Sequence, residues 1–193
     1  VWGRTAREAD LEVVVSEKSD RSEPVAGSKA RSRSTDDFTA VLQVSGLKKN
    51  TAYHYGLGVN GSKPEKAGTF RTVRPPGSGL SLRLAFGGGA GYTPQHERMW
   101  NTINDSKPDI LLLLGDNVYS DAPTSPEMQH YCYYRRQSRP EFRKLTASTP
   151  VYTIWDDHDF GANDVSGGIA VDKPGWKIPG WRVVRENWVN PAY

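Results

Sequence analysis

Two stretches of the sequence end an apolar run at a group of carboxylates. The first reads DILLLLGDNVY from position 109, and the second reads PVYTIWDDHDFGAND from position 150. An apolar run that stops at acids is typical of a buried parallel strand whose carboxyl end opens into a site. We interpret the two stretches as two halves of one metal site.

The residue types in these stretches indicate which metal they would bind. Asp116 offers a hard carboxylate oxygen, Tyr119 can coordinate as a phenolate, and Asn163 offers a neutral carbonyl oxygen. Such donors suit hard cations such as Ca²⁺, Mn²⁺ or Fe³⁺ better than a metal that prefers thiolate. Two metals bridged by one carboxylate would clamp a phosphate and activate a water for in-line attack. His158 lies between two aspartates and could protonate a leaving oxygen or hold a phosphoryl oxygen.

The part of the chain that carries these stretches alternates strands and helices. Strands predicted at 82–86, 110–114 and 151–155 indicate an α/β domain with a mostly parallel sheet. The carboxyl ends of these strands would then meet at one sheet edge, where open α/β sheets bind ligands. The first strand is followed there by the run GGGAG. The glycine run lacks the spacing of a dinucleotide-binding loop and the lysine of a P-loop, so we interpret it as a tight turn.

Two helices are predicted between these strands. Thr93 is a candidate N-cap for a helix that ends near Asn104, and Ser125 with the following proline begins the next. The spacing of the second helix predicts one apolar face, and Pro140 is expected to break it. The predicted face consists of Met128, Tyr131 and Cys132.

The preceding part of the chain, residues 1–74, is predicted to be all-β. Short segments of alternating apolar and polar residues indicate strands, and residues 20–37, which are rich in charged residues and serine, are predicted to form a solvated loop. Residues 75–80 form a Pro/Gly/Ser linker, and the α/β domain spans 81–193. The spacing of strands and turns predicts a small β-sandwich.

Composition excludes some functions and bears on the setting. The formal net charge is +3 and the basic residues are scattered among nearly as many acids, so no nucleic-acid-binding surface is indicated. The single cysteine, Cys132, excludes an internal disulfide framework. No apolar run is long enough to span a bilayer, and no signal-peptide pattern opens the chain. The oligomeric state is not indicated.

These motifs resemble a known family. The order of Gly115-Asp116-x-x-Tyr119, Trp155-Asp156-Asp157-His158-Asp159 and Asn163, after a β-module, closely resembles the PhoD-like alkaline phosphatase and phospholipase D group of metallophosphoesterases. The resemblance implies a fibronectin-III-like sandwich with a tyrosine-anchored corner near Tyr53, followed by a calcineurin-like metallophosphoesterase domain. It also implies hydrolysis of phosphate monoesters or diesters and a periplasmic or extracellular setting.

The resemblance assigns roles to the residues that match the motifs. Asp116 would bridge two metals, Tyr119 would bind the iron-like one and Asn163 the second, which is calcium in this family. His158 would lie beside the phosphate, and Asp157 would act as a ligand or as the partner of His158. Manganese, magnesium or zinc are alternatives.

Two departures from the family modify these expectations. The family often has a cysteine ligand after the first strand, where this chain has Gly89, so an iron–thiolate site is not expected. The later ligands of the family lie beyond the matched segments, so we expect this chain to belong to a longer protein with an α/β domain incomplete at its C-terminus. Arg185 is a candidate phosphate ligand, although surface charge is the better explanation of this residue. The alternative function is an inactive binding or surface module that carries a degenerate phosphatase-like domain.

Overall fold

The computed structural model describes residues 1–79, 81–166 and 173–190, and contacts divide the chain into two compact units, Val1–Ser81 and Leu82–Tyr193. The first unit is all-β and the second is α/β. Each unit is described separately below.

The first unit contains six antiparallel strands in two sheets. Strands β2, β3, β5 and β6 form one sheet in the order β3-β2-β5-β6, and β1 pairs with β4. Alternate residues of β2 are buried because a strand directs successive side chains to opposite faces. They pack with residues in and next to β4 and β5 into one core, which contains Leu11, Val13, Val15, Ala40, Leu42 and Tyr53. The strand bounds are β1 (Trp2–Arg4), β2 (Ala9–Ser16), β3 (Pro24–Ser32), β4 (Thr39–Val41), β5 (Ala52–Val59) and β6 (Lys66–Arg71).

The prediction of a solvated loop for residues 20–37 is wrong, because half of this stretch, Pro24–Ser32, forms β3. β3 lies at the edge of its sheet and pairs along its length with β2. Its exposed cations lie opposite carboxylates of β2: Lys29 pairs with Glu12 at 3.3 Å and Arg31 with Asp10 at 3.0 Å. Charged residues therefore suit this strand, because its outer face is in water and its neighbour carries the opposite charge.

Tyr53 closes the turn that precedes β5. Its ring is buried, and its hydroxyl oxygen accepts a hydrogen bond of 2.9 Å from the backbone N–H of Lys48. A buried tyrosine that binds the backbone a few residues upstream anchors a corner between strands. The fibronectin-III type of sandwich stays a prediction.

Replacing Tyr53 with phenylalanine tests this corner. The ring would stay packed while the Lys48 N–H loses its acceptor, so we expect the first unit to lose about 1–2 kcal/mol of stability. Hydrogen exchange of the β2 and β5 amides measures the loss. Tyr131→Phe, which removes the hydroxyl of an exposed tyrosine in the other unit, serves as the control. Equal exchange in both variants would show that the corner bond contributes nothing.

The second unit contains a three-stranded parallel sheet in the order β7-β8-β9, which confirms the predicted α/β class. All three predicted strands form: the strand predicted at 110–114 has the same bounds, the one predicted at 82–86 begins two residues later and ends one residue later, and the one predicted at 151–155 ends one residue earlier. The bounds are β7 (Leu84–Gly87), β8 (Ile110–Leu114), β9 (Val151–Ile154), α1 (Met99–Asp105), α2 (Pro126–Gln137), α3 (Pro140–Thr146), α4 (Asp157–Phe160) and α5 (Lys177–Asn187).

The two faces of this sheet differ in burial. Leu111 and Leu113 of β8 point into a core formed with the helices. On the opposite face, Phe86, Leu112 and Tyr152 form one row across the three strands, and Phe86 is 69% exposed. Ile154 in the next row is 58% exposed. Parallel sheets are usually covered on both faces, and the described helices of this chain cover one.

The helices depart from prediction in two respects. α1 begins at Met99, six residues after Thr93, because the intervening residues form turns. In α2 the N-cap is confirmed, since the Ser125 hydroxyl accepts from the Met128 N–H at 3.3 Å. The predicted apolar face is confirmed for Cys132, which is buried, but is wrong for Met128 and Tyr131, which are about half exposed. The buried residues of α2 are Gln129, Cys132, Tyr133 and Arg136. Two of these are polar because they bind backbone carbonyls, as described below.

Cys132 offers a probe of the second unit. It is buried in α2, and burial raises the pKa of its thiol. Because thiol reagents attack the exposed thiolate, we expect no labelling in native buffer and complete labelling once the unit unfolds in urea. Absorbance of the released aromatic thiol measures this. Rapid native labelling would show that α2 does not pack as described.

No helix in the described part of the chain is long and apolar enough to cross a membrane.

Candidate metal centre

The carboxyl ends of β7, β8 and β9 meet at one edge of the sheet, as parallel strands require. Three loops leave this edge. We name them the glycine loop (87–91), the β8 turn (115–121) and the α4 loop (156–164). Every site residue predicted from the two acid-rich stretches lies in the second or third of these loops.

The turn after β8 is shaped by Gly115. Its φ is +92°, and a Cβ at this position would lie 2.8 Å from the Cβ of Asp156, so only glycine fits here. The next residue, Asp116, has a φ of +51°, a conformation that aspartate tolerates better than most residues. This tight turn brings the ends of β8 and β9 together and places Asp116 beside the α4 loop.

The α4 loop begins with a capped helical turn. The Asp156 carboxylate accepts from the Asp157 N–H at 2.9 Å, and the Asp159 carboxylate accepts from the Asp156 N–H at 3.0 Å, which forms a capping box. Asp159 is fully buried and also accepts from the N–H groups of Asn117 and Val118 at 2.9 and 3.0 Å. Asp159 therefore ties the α4 loop to the β8 turn.

These turns bring Asp116, Asp157 and His158 together. One ligand atom from each residue lies within 4.8 Å of the others, a spacing that a single metal ion could bridge. Asp116 Oδ1 is buried and has no hydrogen-bond partner, which is costly for a carboxylate oxygen unless a cation satisfies it. Two carboxylates and an imidazole suit Mn²⁺, Fe or Zn²⁺, and the carboxylates alone suit Ca²⁺. The donor set therefore fits a metal ion.

The charges of the cluster perturb its titration. Burial opposes ionisation of Asp157, but hydrogen bonds from the Asp164 and His158 N–H groups outweigh it and hold the pKa of Asp157 below its usual value. Burial also opposes protonation of His158, yet the neighbouring carboxylate of Asp121 raises the pKa of that imidazole. Burial and the contact with Asp116 raise the pKa of the Tyr119 hydroxyl. Burial raises the pKa of Asp159 to about 7, although backbone donors oppose this.

Tyr119 lies at the cluster. Its hydroxyl donates to Asp116 Oδ2 at 3.2 Å, and its ring lies 4.3 Å from the ring of His158. Asn163 lies further along the α4 loop, and its amide donates to Asp164 at 2.6 Å. The Asp164 N–H in turn donates to Asp157 at 2.5 Å. The structure thus places Tyr119 in contact with Asp116 and Asn163 two hydrogen bonds from Asp157.

Arg185 lies in α5, where its guanidinium stacks over the Trp181 ring at 4.6 Å. No described contact joins it to the Asp116 cluster. Its role in binding phosphate stays a prediction.

Gly89 faces the site from the glycine loop. Its φ is +66°, and a Cβ here would lie 3.9 Å from the Tyr119 hydroxyl, so this position points at the cluster but supplies no donor atom. Cys132 is buried in α2, and no described contact joins it to the cluster. The donors that the described residues bring to this edge are therefore oxygen and nitrogen.

Helix α2 fixes all three loops through its buried polar face. Arg136 donates to the carbonyls of Ala90 in the glycine loop at 2.6 Å and Asn117 in the β8 turn at 3.1 Å. Its charge is paired with Glu97 at 3.2 Å, where both side chains are almost fully buried. Two further residues of this face bind the α4 loop: Gln129 donates to the Phe160 carbonyl at 2.9 Å and Tyr133 to the Asp159 carbonyl at 3.0 Å.

Sequence reasoning missed Asp159, Arg136 and Asp121. The carboxylate three residues after Asp156 is the sequence pattern of a capping box and could have identified Asp159. The spacing of Gln129, Tyr133 and Arg136 follows one helical face, but polar residues on a face are ordinarily interpreted as exposed. No sequence signal pointed to Asp121, whose Oδ1 lies 2.5 Å from His158 Nδ1.

Comparison with known proteins shows the fold. No protein-family model matches the sequence, and no curated protein matches it. The solved structure of PhoD superposes with a TM-score of 0.81 at 16% identity, over 96% of this chain and 40% of PhoD. A β-glucuronidase from Parabacteroides merdae, at 12% identity, covers 83% of this chain and 26% of its own, but its TM-score of 0.25 is too low to indicate a shared fold. The chain therefore has a PhoD-like fold and spans well under half the length of PhoD.

Proposed function

We propose that this chain is part of a metal-dependent hydrolase of phosphoric esters. The observation that carries the proposal is the convergence of Asp116, Asp157 and His158 at the ligand-binding edge of a PhoD-like fold. The substrate class is phosphate monoesters or diesters. Because the chain spans only part of the length of PhoD, the activity is proposed for the whole protein.

Asp116 and Asp157 would hold the metal, with Tyr119 and Asn163 as further oxygen ligands. A second metal would share Asp116 with the first. From the family resemblance we propose Ca²⁺ and Fe³⁺ as the pair of metals, with Mn²⁺, Mg²⁺ or Zn²⁺ as alternatives. Bound metals would polarise the phosphoryl oxygens and lower the pKa of a water. The absence of a donor at Gly89 favours oxygen-preferring ions over an iron–thiolate centre.

His158 would act on the ester itself. Its protonated imidazole can donate a hydrogen bond to a phosphoryl oxygen or a proton to the leaving oxygen. Arg185 is proposed as a further phosphate ligand. We also propose that the all-β unit is a fibronectin-III-like module and that the protein acts outside the cytoplasm, both on the family resemblance.

Metal binding and ester hydrolysis test this proposal together. The full-length protein is stripped with a chelator, titrated with Mn²⁺ and Ca²⁺ by calorimetry, and assayed with nitrophenyl phosphate and bis-nitrophenyl phosphate. We expect at least one saturable metal site and metal-dependent release of nitrophenol, with the preferred ester identifying the subclass. If no metal binds to the folded chain, the cluster is not a metal site and the proposal is wrong.

An inactive module is the second candidate. The observation that favours it is position 89, which faces the cluster without a donor. Metal binding without hydrolysis of either ester by the full-length protein would support it.

A further inference from the structure

Arg135 of α2 lies beside two tyrosine rings. Its guanidinium carbon is 4.1 Å from the ring centre of Tyr92 and 5.8 Å from that of Tyr131. Its Nε is buried without a hydrogen-bond partner, and no acid in the described part of the chain forms an ion pair with it. The neighbouring Arg136 differs, because its charge is paired with Glu97. Arg135 therefore keeps a positive charge that no described carboxylate balances.

The two rings hold Arg135 but leave its hydrogen-bonding capacity unused. An aromatic ring attracts a cation over its face, yet the ring supplies no oxygen to the N–H groups of a guanidinium. These N–H groups form a planar fork that matches the two oxygens of a carboxylate or a phosphate. Tyr131 is 53% exposed, so this arrangement lies at the surface of the unit. Arg135 is thus a positioned donor for an oxyanion.

Tyr92 connects Arg135 to the candidate metal centre. It directly follows the glycine loop, whose last residue is Gly91. A Cβ on Gly91 would lie 3.7 Å from the Tyr119 ring, and the Tyr119 hydroxyl donates to Asp116 Oδ2 at 3.2 Å. Arg135 and the acid cluster are therefore joined by a short series of contacts along the glycine loop.

The buried thiol of Cys132 gives a second indication that Arg135 lies near the site. Burial raises the pKa of this thiol most, the positive charge of Arg135 lowers it, and the carboxylate of Asp121 in the β8 turn raises it further. Because the interaction between charges weakens with distance, both groups lie near the same sulfur. The charged residues of the β8 turn are both aspartates, so Arg135 is a cation placed close to an acidic loop.

We propose that Arg135, held by Tyr92 and Tyr131, binds a second anionic group of the substrate, a carboxylate or phosphate carried beyond the phosphoryl group that is cleaved. This inference rests on the proposed function, because the cleaved phosphoryl group must lie at the Asp116 cluster. The preferred substrates are then esters with an oxyanion on a substituent that extends past the glycine loop. Arg135 determines specificity and takes no part in the chemical step.

Two matched esters test this inference in the full-length protein. Nitrophenyl phosphate and its analogue with a carboxylate on the ring both release a coloured phenol. The quantity measured is the ratio of kcat/KM for the carboxylated ester to kcat/KM for the plain ester. We expect Arg135→Gln to lower this ratio about tenfold or more, because a hydrogen bond between charged groups is lost. Partial unfolding would lower both values and leave the ratio unchanged.

Further variants separate the charge from its geometry. Arg135→Lys keeps the charge without the planar fork and should give a ratio between those of the wild type and Arg135→Gln. Tyr92→Leu removes the stacked ring and should also lower the ratio. Arg143→Gln, which changes an exposed arginine of α3, is the matched control and should keep the wild-type ratio. A third ester, with a phosphonate in place of the ring carboxylate, identifies which oxyanion Arg135 prefers.

Binding without turnover separates this inference from the proposed function. Benzylphosphonate with and without a ring carboxylate is titrated into the metal-loaded full-length protein by calorimetry, and the ratio of the two Kd values should change in Arg135→Gln as the kinetic ratio does. A ratio for Arg135→Gln equal to that for Arg143→Gln in either measurement would overturn the inference and leave the proposed function intact. If the phosphonates bind with the expected ratio but no ester is hydrolysed, the proposed function fails and Arg135 is still an anion-binding residue. If neither phosphonate binds, both proposals are wrong.

Discussion

Asp116→Asn is expected to remove metal binding and to lower the rate of hydrolysis by more than about a hundredfold. Residues that only support a metal ligand cost up to about a hundredfold when they are changed, and we expect the loss of a ligand itself to cost more. Asp116 Oδ1 is buried and has no hydrogen-bond partner, and Asp116 Oδ2 accepts a hydrogen bond from the Tyr119 hydroxyl. An amide has the same shape but no charge. Because asparagine also tolerates the φ of +51°, the turn should survive the change.

Calorimetric titration with Mn²⁺ measures the loss of binding in Asp116→Asn, and circular dichroism checks that the fold is kept. Asp105→Asn removes one charge from an exposed position of the same unit and should bind metal as the wild type does. Equal metal affinity in the two variants would mean that Asp116 is not a ligand.

Arg136→Met is expected to destabilise the α/β unit by about 3–5 kcal/mol, because breaking a buried ion pair leaves an unpaired buried charge on Glu97. The Ala90 and Asn117 carbonyls also lose their donor. The glycine loop and the β8 turn should therefore loosen, and metal affinity should fall with stability.

Urea unfolding followed by tryptophan fluorescence measures the effect of Arg136→Met. Arg143→Met on α3 removes an exposed arginine of the same unit and should change stability by no more than about 0.5 kcal/mol. The double variant with Glu97→Leu should recover part of the loss, because it removes both charges. A loss for Arg136→Met as small as that for Arg143→Met would show that the buried pair does not support the loops.

The sequence predicts strand ends and helix caps correctly where the signal depends on a few neighbouring residues. The run of leucines in β8 predicts a buried parallel strand, and the Ser125-Pro126 pair predicts a helix start, because each signal depends on residues close together in the chain. The sequence did not predict β3, because its charged residues form ion pairs with carboxylates of the neighbouring strand β2. The spacing of residues in the sequence does not show such contacts. An edge strand needs little apolar surface to pair.

Only part of the candidate metal centre could be predicted from the sequence, for a related reason. Asp116, Asp157 and His158 follow apolar runs, so their position at strand ends is a local feature. Asp121 and Arg136 act through contacts with residues 37 positions and 19 positions away, respectively. The folded chain alone brings such pairs together.

The buried face of α2 has a consequence for motion. Because one rigid helix bonds to carbonyls of the glycine loop, the β8 turn and the α4 loop, none of the three can swing away without breaking a bond to that helix. Their fluctuations should be correlated, with opening to solvent occurring as one cooperative event when α2 undocks. The amides of all three loops should then exchange with deuterium at a common rate set by a single opening equilibrium.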